Sequence, residues 1–305
     1  MSTNIVTFYV QQYAKVLNEL VQQRTSRLRK WTTEDRYVGQ AGSPVEQVGA
    51  VAMQPVTQRY GPMQRVDAAT DRRWVYPSDY DLPQLFDNFD KLRLLIDPKG
   101  KFVRNAHFAA NRQFDDLMIA ALGGNAQTGV SGGSTIALPA AEVVSVQQGA
   151  TAPSGLTVAK LRQAKLILEQ NEAYSDEEGD PGDPNTGLVC IGQAKQMDNL
   201  LAEAQVISRD FNDVPALVEG RVKRFLGIDM VRIERLLTGT DDQAGTSTKV
   251  HIWQKEGLHL GLWNDISTNI SQRHDLQSEP WQAYVFLTAG ATRLEEKRVV
   301  QAWAR

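Results

Sequence analysis

Between Arg36 and Leu82 the chain cannot build a core of its own. Valine, glutamine, glycine and proline dominate this stretch, and large aliphatic side chains are scarce. Short extended pieces, Val48–Met53 and Arg73–Tyr76, stand on either side of the turn-prone Tyr60-Gly61-Pro62, a pattern that predicts a long β-hairpin. Two strands with so little to bury are marginal alone in water and need a surface from elsewhere. The hairpin also carries Arg36, Arg59, Arg65, Arg72 and Arg73 against Glu46, Asp67 and Asp71, with Asp79 and Asp81 at the end of the stretch.

The segment before it poses the same question. Val6, Tyr9, Val10, Tyr13, Val16, Leu17, Leu20 and Val21 fall at helical spacing, and Arg24, Arg27, Arg29 and Lys30 follow. The reading is an amphipathic helix over 4–30 with a basic end, packed either on its own domain or on a neighbour. The strongest helix comes next. Asp97 is a fitting N-cap and Pro98 a fitting first residue; Val103, Ala106, Ala110, Phe114, Leu117 and Ala121 step by three and four, and Gly123-Gly124 end the run. About 24 residues at 1.5 Å each span roughly 36 Å, long enough to be the backbone of a domain. Of the adjacent pair on it, Asp116 is expected to face solvent and Asp115 a neighbour.

Further along, the pattern gives a strand near Thr135–Leu138, a helix over Thr157–Glu169, a buried strand at Gly187–Ile191 and a helix over Gln193–Ala204. Val231–Leu236 reads as a strand and Thr238–Thr248 as a loop. His251–Trp253 and Trp281–Leu287 read as extended, and Arg298–Arg305 as an alternating strand. Helices and strands mixed without regular βαβ alternation indicate an α+β fold.

Composition bounds the chemistry. The 305 residues are 42% hydrophobic and 23% charged, ordinary for a globular protein, and a net charge of -3 gives no electrostatic case for a nucleic-acid reader. Cys190 is the only cysteine, so neither an intrachain disulfide nor a thiolate metal cluster can form. No secretory signal opens the chain and no window approaches about 18 apolar residues, so a cytosolic, unanchored protein without a membrane partner is expected. Gly124–Ser131 has the glycine spacing of a phosphate loop, but Val130 occupies the lysine position. His107, His251, His259 and His274 lack metal-site spacing; His251 and His259 could meet across a hairpin, where a structural role outweighs a metal. The acidic run Asp176–Asp183 lacks EF-hand spacing, and no Gly-x-Ser-x-Gly elbow occurs. Catalytic, cofactor-binding and metal residues are therefore expected to be none.

The order of these segments, an amphipathic arm, a weakly buried hairpin, one long helix and a mixed domain with Gly220-x-Val222-x-x-Phe225-x-Gly227-Ile228, resembles the major capsid proteins of tailed bacteriophages. Leu95-Ile96-Asp97 through Leu122-Gly123 is similar to that family's spine helix, Leu156-Thr157-Val158-x-Lys160-Leu161 to the start of its second long helix. Trp281-x-x-Tyr284 through Gly290-Ala291-x-Arg293 resembles its closing peripheral segment. The resemblance implies the Hong Kong 97 fold, with an N-terminal arm (1–35), an extended loop (36–82), a peripheral domain with the spine helix (83–170 and 275–305) and an axial domain (171–274). It implies a non-enzymatic subunit that assembles with itself, as pentamers and hexamers, into an icosahedral shell around double-stranded DNA contacted non-specifically. Assembly in the bacterial cytoplasm is expected, with a portal, a decoration protein and, since the arm starts at Met1, a separate scaffolding protein. Tyr9, Tyr13, Leu17, Arg59, Arg65, Arg72 and Arg73 are the expected contacts between subunits. An encapsulin-type compartment shares the fold and is the alternative; a two-domain enzyme using Asp213 or Asp229 is the alternative of another class.

Some members of the family lock their shells by joining a lysine of the extended loop to a neighbour's asparagine. That step needs an amine, and from Arg36 to Leu82 there is no lysine. Purified shells boiled in SDS are expected to run as one band near the chain's 33.9 kDa; a ladder of covalent multimers would contradict this.

Overall fold

The computed structural model describes residues 20–43, 45–55, 58–59, 61, 63, 65–86, 99–173, 187–203, 223–277 and 279–305. The chain divides into two compact units, one of Met1–Ser26, Asp79–Gln113 and Asn264–Thr288, the other of Arg27–Ser78, Phe114–Trp263 and Ala289–Arg305.

In the first unit, strands β13 (Leu258–Gln272), β14 (Trp281–Arg293) and β4 (Ser78–Phe86) lie side by side in that order. Along β14 the side chains alternate as the pleat demands: Ala283, Val285 and Leu287 are buried, while Tyr284 and Phe286 between them stay half-exposed. Val285 and Leu287 line one cavity with Ala106 and Ala110 of helix α1 (Lys99–Gly123) and Leu82 of β4. β13, β14 and α1 all continue into the second unit.

That unit holds a mixed sheet in the order β7 (Val143–Val144), β15 (Val299–Ala304), β12 (Thr246–Gln254), β8 (Leu188–Gly192), β10 (Ile228–Arg232), β9 (Arg224–Phe225), with β11 (Thr238–Thr240) paired to β12. A second sheet runs β2 (Glu46–Val48), β3 (Thr70–Trp74), β5 (Ala126–Thr128), β6 (Ser134–Ile136), and β1 (Thr33–Arg36) lies parallel to β13 with Thr33 opposite His259. Leu226 and Gly227, both at positive φ, form the two-residue turn between β9 and β10, the geometry that suits a tight hairpin. Helix α2 (Val158–Gln170) packs Leu161, Ala164 and Leu168 inward and touches β15; the short α3 (Ala194–Leu201) lies against β8.

Several expectations change. Residues 20–28 form no helix, and Arg29–Trp31 make a single 3-10 turn, so the basic stretch is not a helical end; Tyr9, Tyr13 and Leu17 lie outside the described residues, as do Asp97-Pro98, Asp213 and the acidic run from Asp176. On α1 the buried residues are the four-residue ridge Ala106, Ala110, Phe114, Met118 and Leu122 with Asp115 and Ile119 beside it, whereas Leu117 and Ala121 are only half-buried. Such a ridge winds slowly round the helix. It is held on course by Asp115, fully buried, whose carboxylate accepts the backbone N–H groups of Arg27 and Leu28 at 3.1–3.2 Å. Asp116, as expected, lies toward solvent, paired with Arg235.

Residues 238–248 form a hairpin: Asp241 accepts from the N–H groups of Gln243 (3.0 Å) and Gly245 (2.8 Å) and from Ser247, closing the turn between β11 and β12. The strand expected over 231–236 ends at Arg232. β15 does not alternate; all six of its residues are buried, because it pairs with β7 and β12 and is covered by α2.

Lys160, on α2, is fully buried, and its Nζ donates to the carbonyl oxygens of Ser154 (2.7 Å), Gly155 (2.8 Å) and Trp303 (2.9 Å). Burial pulls its pKa down to about 8, which leaves the ammonium and its three donors in place at neutral pH. Lys160→Met keeps the volume but orphans three carbonyls, so a loss of about 3 kcal/mol is expected in denaturant unfolding. A change under about 0.5 kcal/mol, the scale of a surface substitution, would contradict this role.

Candidate assembly interface

The root of the hairpin is stitched on both edges. β2 and β3 pair antiparallel with Glu46 opposite Arg72 and Val48 opposite Thr70; Gly49 N–H donates to Ala69 at 2.6 Å, and Gly42 and Val75 exchange bonds of 2.9 and 2.8 Å. On its other edge β3 pairs with β5, Arg73 opposite Thr128. Asp71 reinforces that edge: its carboxylate accepts from Thr128, from Arg72 N–H (2.8 Å) and from Gly129 N–H (3.0 Å). The Thr128 bond, more than any other, holds its pKa below the usual carboxylate range. The glycine loop after α1 thus gives a backbone N–H to a carboxylate of its own chain, and Val130 is exposed where a phosphate loop has its lysine.

Alternation along β3 separates its two arginines. Arg72 points outward and pairs with Glu46 across the strands. Arg73 is 2% exposed; its Nε donates to the Leu294 carbonyl at 2.8 Å and its Nη2 pairs with Glu296. The expectation that Arg73 reaches a neighbouring subunit is therefore corrected: its guanidinium is consumed inside the chain. Glu296 also faces Arg293, 3.6 Å away. Arg293 is fully buried, and its guanidinium donates to the carbonyls of Leu122 (3.0 Å), Gly124 (2.8 Å) and Ile136 (3.2 Å), thereby capping the C-terminus of α1 where the helix dipole favours a cation. Burial lowers the Arg293 pKa and Glu296 works against that shift. Gly290 completes the fit, because a Cβ there would stand 2.1 Å from the Tyr76 carbonyl oxygen.

Beyond this root the hairpin offers side chains to the outside. Met53 and Met63 are wholly exposed, and Val48, Val51 and Val66 largely so. Arg59 is exposed, and Arg65 pairs at 2.7 Å with Asp67, both partners open to solvent. The arrangement is a rigid base carrying an uncovered apolar and basic surface. Arg293 and Glu296 are not among the residues expected from sequence; Arg293 stands in the Gly290-Ala291-x-Arg293 segment, but nothing in its spacing marks it as buried.

His259 is buried, with Nδ1 2.9 Å from Thr33 Oγ1 and Nε2 3.0 Å from the Tyr37 hydroxyl, and burial, followed by Asp35, raises the Tyr37 pKa to about 12. His251 lies opposite Gln301, and burial pushes it down to about 3, so it stays neutral. Cys190 is buried in β8, its thiol raised to about 12. Asp229 lies on β10, half-buried. Among the described residues no group of three metal-ligating side chains occurs, and no helix is long and apolar enough to cross a membrane.

Over residues 5–303 the sequence matches the family described as phage capsid protein. The chain belongs to the phage capsid protein family. No curated protein sequence matches it. Solved structures resemble this capsid protein along nearly their full length at low identity: the capsid of cyanophage Pam1 (TM-score 0.77, 10% identity, 100% of this chain and 97% of that one), the capsid of cyanophage P-SCSP1u (0.73, 14%, 100% and 95%) and the head of Helicobacter pylori bacteriophage KHP40 (0.71, 10%, 100% and 99%). The fold is thus the phage-capsid fold of the Hong Kong 97 type, and the protein is a structural subunit of a viral shell made of many copies.

For this capsid subunit, Glu296→Gln removes the one carboxylate set between two buried guanidiniums. The unassembled protein is expected to lose about 3–5 kcal/mol of stability, as when one partner of a buried pair is taken away. Asp67→Asn, at the exposed Arg65 pair, is expected to cost at most about 1 kcal/mol. Equal effects of the two in chemical denaturation would remove the distinction drawn here.

Proposed function

We propose that this chain, as the major capsid protein of a tailed phage, closes into the pentamers and hexamers of an icosahedral shell around packaged double-stranded DNA. The observation that carries the reading is the hairpin: its root is fixed by Arg73, Glu296 and both neighbouring strands, while its outer part exposes methionines and arginines that the described part of its own chain leaves uncovered. An apolar surface held out on a rigid base needs a partner to bury it, and in a repeated closed assembly that partner is another copy. Many such weak contacts sum to a stable shell.

In this reading residues 1–35 are the arm, 36–82 the extended loop, 83–170 with 275–305 the peripheral domain and 171–274 the axial domain. Arg59, Arg65 and Arg72 meet acidic surface on the next subunit, and Tyr9, Tyr13 and Leu17 of the arm are likewise buried against a neighbour. The subunit works without catalysis, assembles in the bacterial cytoplasm, and acts with a scaffolding protein, a portal and a decoration protein. The capsid family match and the phage-capsid neighbours favour this over an encapsulin compartment and over a two-domain enzyme.

Electron micrographs of purified protein are expected to show closed shells, and particles from infected cells to hold nuclease-protected DNA; empty shells around a cargo enzyme would sink the phage reading. Arg59→Glu/Arg65→Glu is expected to melt like the parent but to form few closed shells. Wild-type assembly by that variant would remove the role given to the hairpin arginines.

A further inference from the structure

The pleat that turns Val285 and Leu287 of β14 toward the cavity with Ala106 and Ala110 sends Tyr284, Phe286 and Thr288 to the opposite face of the sheet. Three contacts fix what that face contains. Tyr284 stacks on Phe286 with ring centres 5.3 Å apart, its hydroxyl donates to Asp81 of β4 at 3.3 Å, and the Thr288 hydroxyl donates to Asp79 at 2.6 Å. Leu85, four residues beyond Asp81 and therefore on the same side of β4, is 52% exposed.

Neither carboxylate has a cation. Both are exposed, and among the described residues each is met by a hydroxyl alone. Standing two residues apart on one strand, at a rise of about 3.4 Å per residue, they lie about 7 Å from each other and repel. β4 is the edge of its sheet, and acids are a known guard against a stray strand pairing there. That accounts for the charge but not for the stacked rings and Leu85 beside it, because apolar side chains invite contact. A guanidinium suits the whole set: it forks onto a carboxylate and lies flat on an aromatic ring. A methionine thioether packs well at the edge of such rings.

The same chain carries these groups on its hairpin. From Gly49 to Val66 it holds Arg59 and Arg65 and no aspartate or glutamate, and Met53 and Met63 are wholly exposed. The pair of Arg65 with Asp67 is open to solvent at both partners, so it holds Arg65 only weakly.

We infer that the Asp79 and Asp81 face of one copy receives the outer part of the hairpin of the next, arginines on the carboxylates and methionines on the Tyr284–Phe286 stack. The inference rests on the capsid reading above and names the surface that receives the hairpin. In a shell of many copies each subunit brings one hairpin and one such face, so a head-to-tail contact uses every one of both. An unrelated basic protein would have to match that number independently. Packaged DNA is an unsuitable occupant, since its phosphates would meet two carboxylates that no cation offsets.

Charge exchange in the full chain tests this. Asp79→Arg/Asp81→Arg sets like charges against each other and is expected to lower the count of closed particles in electron micrographs at least about tenfold. Adding Arg59→Asp/Arg65→Asp to that variant is expected to restore most of the parent's count, which a failure to fold would not allow. Asp79→Asn/Asp81→Asn keeps an oxygen for both hydroxyls, so the unassembled protein should denature at the parent's midpoint while assembling less well. Whether face and hairpin belong to different chains is read from Met63→Cys/Leu85→Cys shells, in which the native Cys190 is buried. After oxidation, a non-reducing denaturing gel should show disulfide-linked multimers that neither single variant gives. Parent-like assembly by the arginine variant overturns the inference, as does a fourfold variant that stays unassembled or a disulfide that closes only within single chains. Wild-type protein that forms no closed particle would overturn the capsid reading as well; closed wild-type shells without the rescue would overturn this inference alone.

Discussion

Glu296 sits between two buried arginines, and the architecture of the second unit is arranged around that contact. Arg73 comes from the root of the hairpin and Arg293 from the end of β14, and a single carboxylate faces both. Carbonyl oxygens accept further guanidinium donors: Leu294 from Arg73, and Leu122, Gly124 and Ile136 from Arg293. Buried charges persist only when paired and hydrogen-bonded. Displacing any one member would leave a charge stranded, so the hairpin root, the C-terminus of α1 and the loop leading into the 3-10 turn Glu296–Arg298 are fixed as a set.

Rigidity at the root gives the exposed part of the hairpin its meaning. An element that buries little apolar surface would normally wander, and ordering it against a neighbour would cost conformational entropy. Here the backbone bonds of β3 to β2 and β5, the Asp71 cluster and the Arg73 pair have already set the direction in which the hairpin leaves the domain. Binding by a second copy then has less disorder to remove, and modest contacts from Met53, Met63, Arg59 and Arg65 suffice when repeated through a closed shell.

Much of this is legible in the sequence because it rests on periodicity and turn chemistry. The long helix, its glycine stop, the buried Leu188–Gly192 strand, the Thr157-capped helix and the hairpin itself follow from patterns of period 3.6 or 2 and from capping residues. What stays hidden depends on partners distant in sequence. Arg72 and Arg73 are indistinguishable as neighbours in a basic pair; only the pleat, together with Glu296 more than two hundred positions away, sends one outward and one into the core. Lys160 looks like a solvated helix residue until three carbonyls are brought to it, one of them from Trp303. The turn at Asp241 escapes a sequence reading because Gly, Thr, Asp and Ser mark a loop without telling a tight hairpin from an open one.

Hydrogen exchange, compared between unassembled protein and closed shells, tests the central claim most directly. Amides at the hairpin root, such as Arg73 and Val75, which donate to the carbonyls of Val45 and Gly42, should be protected in both states. Those from Val51 to Gln54, which lie in no strand of the chain, should exchange freely in the unassembled protein and become protected only in the shell. A root that exchanges as freely as the tip in the unassembled protein, or a tip that remains open in finished shells, would contradict a pre-set hairpin that completes its burial on a neighbouring copy.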